Sequence, residues 1–118
     1  MFRMLLKSKI HRATVTNTNL RYIGSITIDE RLMREANILP YEIVQVVNMH
    51  TGVRFETYVI KGKKNSGAIE LNGGAARLGE KGDELIVISY TFLEEETLNR
   101  HKPRIVLVNS KNKIIKRK

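Results

Sequence analysis

The sequence of 118 residues contains no cysteine and no tryptophan, and it has only two prolines. Its aromatic residues are three Phe and four Tyr. Without cysteine the protein has no disulfide, no thiolate metal site and no cysteine nucleophile. No apolar run approaches the length of a membrane span, and the segment from Met1 to Lys7 lacks the core of a signal peptide. These absences favour a soluble, cytoplasmic protein with no membrane partner.

Apolar residues make up 42% of the chain, which is enough for one hydrophobic core in a single domain spanning residues 1–118. The formal net charge is +9, and part of the excess lies in a basic tail at about 110–118. Such a tail is commonly a solvated end. The charge also leaves open a different class of protein, a small basic β-barrel that binds nucleic acid.

Short stretches of alternating hydrophobicity predict a mainly β protein. We expect a turn at Asn17–Asn19 and a short helix from Glu30 to Asn37 with Asp29 as its N-cap. A second short helix is expected at 94–101, and the strands at 4–16, 22–28, 42–48, 53–60, 68–71, 84–92 and 104–109. So many short strands in a small chain favour a closed barrel, and a weak internal echo between 36–46 and 76–88 suggests two interlocked halves.

Familiar catalytic motifs are missing from the sequence. It has no GxSxG elbow, no HExxH and no phosphate-binding P-loop. The three histidines, His11, His50 and His101, lack the spacing of metal ligands, so we predict no metal site.

A more specific hypothesis concerns the peptide bond between Gly24 and Ser25, which the chain could cleave by itself. A Gly-Ser pair in a strand is ordinarily inert. The Ser25 hydroxyl could attack the preceding carbonyl, provided that a donor stabilises the oxyanion. A residue without Cβ at position 24 would permit the backbone angles that this attack requires. Elimination and hydrolysis would then leave a ketone at a new N-terminus.

Four short motifs accompany this step in order along the chain: Lys9-Ile10-His11-Arg12, Tyr22-Ile23-Gly24-Ser25, Arg54-Phe55-Glu56-Thr57-Tyr58 and Asn72-Gly73-Gly74-Ala75-Ala76. Together, at their spacing, they resemble the pyruvoyl-dependent aspartate 1-decarboxylase family over about residues 4–108. The resemblance implies a double-psi β-barrel with short helices, a homotetramer, and self-cleavage into a β chain, 1–24, and an α chain, 25–118. It also implies a carboxy-lyase that converts L-aspartate to β-alanine and CO₂ for pantothenate synthesis. A pyruvoyl group made from Ser25 would form the Schiff base with substrate, without pyridoxal phosphate or metal.

The resemblance also implies roles for individual residues. Ser25 and Tyr58 would be catalytic, with Tyr58 as the proton donor, and Gly24-Ser25 would be the cleavage site. Substrate would be bound by Arg54, Thr57, Gly73, Gly74 and Ala75, of which Arg54 can clamp a carboxylate with its planar fork. Supporting roles would fall to Lys9, His11, Tyr22 and Asn72. In isolation each of these residues could be an ordinary strand, turn or surface position, and a purely structural assembly subunit is a third possibility.

Three positions depart from the pattern of the family. Gly74 stands where alanine is usual, and we expect little effect because the backbone donor is kept. Glu56 replaces a small polar residue and by alternation would face the same way as Arg54 and Tyr58, so we expect either a twist or bulge that turns it away or an ion pair with an excess cation such as Lys9. Val47 stands where some members carry an aromatic residue.

Overall fold

A computed structural model describes residues 1–117 of the chain. One α-helix, α1 (Glu30–Ala36), and two 3₁₀ helices, Gly73–Arg77 and Glu95–Arg100, accompany the strands in this part. The strands are β1 (Phe2–Thr14), β2 (Asn17–Asn19), β3 (Ser25–Asp29), β4 (Ile43–Asn48), β5 (Arg54–Gly62), β6 (Ile69–Asn72), β7 (Glu84–Glu94), β8 (Arg104–Val108) and β9 (Ile114–Arg117). The expected mainly β protein with short helices is confirmed.

The nine strands of the described residues form one sheet in the order β2-β6-β3-β5-β4-β7-β1-β8-β9. Three neighbouring pairs are parallel, namely β1/β8, β2/β6 and β3/β5, and the other pairs are antiparallel. Just after β1, the Thr16 N–H donates to the Ile69 carbonyl of β6 at 2.8 Å, so the chain that leaves β1 near one end of this order joins β6 near the other end. The sheet therefore closes on itself, as the double-psi β-barrel requires.

Aliphatic side chains fill the inside of the barrel. On β4 the alternate residues Val44 and Val46 are fully buried, and they are joined by Ile10, Ile26, Ile28, Val59, Leu71, Leu85, Val87 and Val106. The intervening residues of the same strands point to the outer face, because side chains alternate along a strand. The outer face of β1, β4, β5 and β7 is thus free to carry functional groups.

A bulge in β1 explains why its buried residues are not evenly spaced. Ile10 and Ala13 are both buried although they are three residues apart. The pairing of β1 with β7 shifts between His11 and Ala13, and Arg12 adopts a φ of 68° at this point. The extra residue shifts the alternation of side chains along the strand by one position, so the side chains of Ala13 and Val15 point into the core.

Two segments differ from the expectations. Asn17–Asn19 is the short strand β2 rather than a turn, because it pairs in parallel with β6 through Glu70 to Asn72. The expected strand at 22–28 begins only at Ser25, and Tyr22, Ile23 and Gly24 lie in an exposed bend. The predicted cleavage step between Gly24 and Ser25 therefore lies where a loop enters a strand and not in the middle of a strand.

The N-cap of α1 is confirmed, since an Asp29 carboxylate oxygen accepts from the Arg31 N–H at 2.8 Å. The basic tail, in contrast, is more than a solvated end. Asn112 is buried, and its side chain accepts from the Thr14 N–H at 2.7 Å and donates to the Thr14 and Gly67 carbonyls at 2.8 Å. Beyond it β9 pairs with β8. Residue 118 of the predicted tail lies outside the described residues.

Candidate active site

The strand register brings several of the predicted residues onto one outer face. Arg54 pairs with Val47 of β4, Val47 with Ile86 of β7, and Ile86 with His11 of β1. The next outward-facing row contains Glu56, Gln45, Ile88 and Lys9. Lys9, His11, Arg54 and Tyr58 therefore share a face, which joins the pair predicted on β1 to the pair predicted on β5.

Ser25 opens β3 and is completely buried. Its hydroxyl donates to the Ile23 carbonyl at 3.1 Å and accepts from the Asn72 side-chain amide at 2.9 Å. The same amide donates to the Thr27 hydroxyl at 2.9 Å. Asn72 itself is buried and pairs with Ser25 across β6 and β3, so its side chain fixes the Ser25 hydroxyl rather than capping the 3₁₀ helix that follows.

Gly73 packs against the bend at residues 22–24, which contains the predicted cleavage step and is called the cleavage segment below. Its φ is 61°, and a Cβ added there would lie 2.6 Å from both Cα and N of Gly24 and 2.8 Å from the Tyr22 carbonyl oxygen. Gly24 has no such left-handed φ, and a Cβ there would meet only ordinary contacts, the nearest at 3.9 Å. The left-handed conformation that favours glycine thus lies at Gly73, in the turn beside Gly24, and not at Gly24 itself.

The two residues after Gly73 differ in exposure. Gly74 is exposed, and a Cβ added to it would meet nothing within 4 Å. There is accordingly room for the alanine that the family usually carries, which agrees with the small effect expected. Ala75 is buried and forms part of the core.

Tyr58 lies near Ser25 in the barrel wall. The parallel register of β3 with β5 begins with Ile26 opposite Val59, so Ser25 and Tyr58 are the residues that precede this pair on the two strands. Parallel neighbours share a face, so Ser25 and Tyr58 point to the same side of the barrel wall. The hydrogen bonds to the Ser25 hydroxyl nevertheless involve Asn72 and Ile23, and Thr57 takes no part in them.

An aromatic neighbour packs on Tyr58. The ring centroids of Tyr41 and Tyr58 are 6.4 Å apart. Tyr41 adopts a φ of 70°, and its N–H donates to the Val59 carbonyl at 2.7 Å. The loop is held by Glu42, which accepts from Lys7 Nζ at 2.8 Å and from the Ser89 hydroxyl.

Four residues of strand separate the Cα atoms of Arg54 and Tyr58 by about 13 Å. The Arg54 guanidinium donates to the Gln45 side-chain oxygen at 3.2 Å. Glu56 is exposed on the same face, with no shift in the register of β4 and β5, and the ion pairs of the described residues do not join it to Lys9. The expected bulge and the expected ion pair of Glu56 are therefore not found among the described residues.

The surroundings of His11 favour its neutral form. Burial lowers its pKa below the ordinary value, and the nearby cations of Lys9 and Arg12 lower the pKa further, against a smaller opposing effect of Glu84. Its Nδ1 atom is buried and has no hydrogen-bond partner among the described residues. The neutral imidazole can serve as a hydrogen-bonding group on this face.

Three residues of this region escaped the sequence reasoning: Gln45, Tyr90 and Tyr41. The position of Gln45 could have been predicted, because alternation places its side chain on the outer face of β4, between Arg54 of β5 and the strand β7. The contact of Tyr41 depends on a left-handed residue in a loop, for which the sequence carries no recognisable pattern.

The described residues contain no helix long and apolar enough to cross a membrane. They also contain no group of three or more His, Asp or Glu side chains that could hold a metal ion. The absence of a metal from the reaction remains a prediction.

Comparison with known proteins agrees with this geometry. A family model described as aspartate decarboxylase matches residues 1–115. The aspartate 1-decarboxylase of Caldicellulosiruptor bescii is 60% identical over 116 residues, which cover 98% of this chain and 91% of that protein. Those of Pelotomaculum thermopropionicum and Halalkalibacterium halodurans are 58% and 52% identical, covering 98% of this chain and 87% and 91% of their own. The chain therefore belongs to the aspartate decarboxylase family.

Proposed function

We propose that this protein decarboxylates L-aspartate to β-alanine, using a pyruvoyl group that it makes from Ser25 by cleaving its own chain after Gly24. The observation that carries the proposal is the environment of the Ser25 hydroxyl. That hydroxyl is buried, held by the Asn72 amide at 2.9 Å, and lies where an exposed bend packed on Gly73 enters β3. A buried serine fixed beside a constrained peptide bond is suited to attack that bond.

The cleavage needs only groups of the chain and water. The Ser25 oxygen bonds to the Gly24 carbonyl carbon while the C–N bond breaks, which turns the amide into an ester. Loss of the Ser25 α-proton expels the Gly24 carboxylate and leaves dehydroalanine at residue 25. Addition of water and release of ammonia convert it to the ketone. Asn72 holds the attacking oxygen, and Thr57 of β5, the strand that pairs with β3, is the candidate donor to the oxyanion.

A ketone at residue 25 would supply the electrophile that takes up the substrate amine and accepts electrons as CO₂ leaves. The other residues have separate tasks. Arg54 binds a substrate carboxylate with its fork, while the backbone N–H groups of Gly73, Gly74 and Ala75 hold the substrate from the other side. Tyr58, which neighbours residue 25 in the register, returns the proton.

We assign supporting tasks to the remaining residues of the face. Lys9 draws in the dianionic substrate, and Tyr22 lines the entrance from the exposed bend. Asn72 stays beside residue 25 after processing. His11, being neutral, serves as a hydrogen-bonding neighbour of Lys9.

The active unit in this proposal is a cytoplasmic homotetramer that provides β-alanine for pantothenate. Large apolar side chains lie exposed on one chain, among them Phe2, Met4, Tyr41 and Phe92, each more than half exposed. Their burial between subunits would remove them from water. The nucleic-acid-binding alternative is not favoured, because the whole chain matches relatives named for an enzyme activity.

Denaturing mass spectrometry combined with release of ¹⁴CO₂ from labelled aspartate tests the proposal. We expect two fragments divided after Gly24, the larger beginning with a pyruvoyl group, and CO₂ release without added cofactor. The Ser25→Ala variant should fold, stay intact and release no CO₂. An intact wild-type chain after warming, inactive on aspartate, would show that the proposal is wrong.

A further inference from the structure

Gln45 occupies the centre of the outer face, between β5 and β7. Its backbone pairs with Glu56 on one side and with Ile88 on the other. Its side-chain oxygen accepts two hydrogen bonds, from Arg54 Nη1 at 3.2 Å and from the Tyr90 hydroxyl at 2.9 Å. A single amide thus joins the candidate substrate clamp to a neighbouring strand.

The two donors also fix which way the amide points. Arginine and a phenol that donates both require an acceptor, and only the oxygen of a glutamine amide accepts. The oxygen is therefore directed between Arg54 and Tyr90, and the NH₂ group is turned away from both. The residue directly opposite Arg54, Val47, offers no polar atom, so the tether of Arg54 on β4 is Gln45.

We infer that Gln45, held by Tyr90, is a positioning residue that prepares Arg54 to bind the substrate carboxylate. The inference rests on the proposed function and adds to it two residues with no assigned role. An exposed arginine loses much rotamer freedom when it binds a ligand, and a side chain already held in place loses less. The hydrogen bond uses one N–H of Nη1, which leaves the Nε and Nη2 edge free for a bidentate carboxylate.

The neutral charge of Gln45 matters for the same reason. An acidic residue at this place would hold Arg54 equally well but would also compensate its positive charge and compete with the substrate. An amide restrains the guanidinium while its charge stays available. Restraint without neutralisation is the property that a clamp for a dianionic substrate needs.

Steady-state kinetics on the processed enzyme test the inference. Gln45→Met keeps the length of the side chain and removes the acceptor, and we expect KM for aspartate to rise about five- to tenfold with kcat changed less than about twofold. Tyr90→Phe removes only the outer hydrogen bond and should raise KM by about two- to threefold. Self-cleavage, followed by mass spectrometry, should proceed as in the wild type in both variants.

A double-mutant comparison separates positioning from general support of the fold. If Gln45 acts through Arg54, Gln45→Met should not lower kcat/KM further in an Arg54→Met background. The same loss in both backgrounds, or an unchanged KM in both Gln45→Met and Tyr90→Phe, would overturn the inference. If Gln45→Met does not fold, the KM of Tyr90→Phe decides. An inactive wild type refutes the proposed function itself, whereas an active wild type with unaffected variants refutes only the role of Gln45.

Discussion

Replacing Gly73 by alanine should leave the chain able to fold but slow its proposed self-cleavage. Gly73 is buried under the cleavage segment, at the start of the 3₁₀ helix that follows β6. Its φ of 61° is unfavourable for a residue with a Cβ, and the new Cβ would lie 2.6 Å from the backbone of Gly24. Because the neighbouring atoms are backbone, they cannot turn away as the end of a flexible side chain can.

The size of the effect follows from two costs. A left-handed conformation costs a residue other than glycine about 1–2 kcal/mol. The contact to Gly24 is about 0.8 Å closer than the 3.4 Å at which ordinary contacts begin, so the bend must move by a comparable distance. A misplacement of about 1 Å at a reacting group can cost about 100-fold in rate. We therefore expect a destabilisation of roughly 1–3 kcal/mol and cleavage slowed about 100-fold.

The assay is a time course of freshly purified precursor at constant temperature, read by denaturing mass spectrometry, with circular dichroism as the test of folding. Gly74→Ala is the matched control, because a Cβ at that position meets nothing within 4 Å and should leave the cleavage rate within about twofold of wild type. A folded Gly73→Ala variant that cleaves at the wild-type rate would refute the reasoning. So would an equal slowing in Gly74→Ala, since the effect would then not depend on the Gly24 contact.

Two further predictions concern stability. Asn112→Ala should lower the free energy of unfolding by about 2–3 kcal/mol and Tm by about 10 °C, because backbone groups of Thr14 and Gly67 lose their partner; an unchanged Tm in calorimetry would contradict this. Burial alone would raise the pKa of Glu42, but hydrogen bonds from Lys7, Ser89 and a backbone N–H outweigh it and hold the pKa below the ordinary 4.5. A carboxylate with a lowered pKa stabilises the fold above its unfolded pKa, and that contribution is lost as the pH falls through the folded pKa. Urea unfolding should thus show Glu42→Gln less stable than wild type at pH 7, with the difference shrinking below pH 4.5; a difference constant with pH would count against the role of the charge.

Alternation along single strands predicted much of the site. Because side chains alternate, the sequence was enough to set Arg54 and Tyr58 on one face of β5 and Lys9 and His11 on one face of β1. It could not show that these faces join into one, since that depends on which strands are neighbours. The rows that connect Arg54 to His11 cross β4 and β7.

The structure differs from the predictions in segments whose conformation depends on contacts with distant parts of the chain. Asn17–Asn19 has the composition of a turn, yet it becomes a strand because β6 offers it a free edge. At the predicted cleavage step a special backbone conformation was expected at Gly24, whereas the left-handed φ is found at Gly73, 49 positions later in the chain. A contact between a bend and a distant turn leaves no periodic pattern, so only the folded chain reveals it.

The position of β1 and β2 has a consequence for the lifetime of the enzyme. Both strands lie within the first 24 residues, and β1 is paired on one side with β7 and on the other with β8. Under the proposed cleavage the barrel is completed by two chains, and the shorter one cannot leave without unfolding the whole. Renaturation would then require two molecules to meet, and it could not restore a consumed serine hydroxyl. Each molecule is in effect made once, so its working life is set by the rate of unfolding rather than by the equilibrium stability.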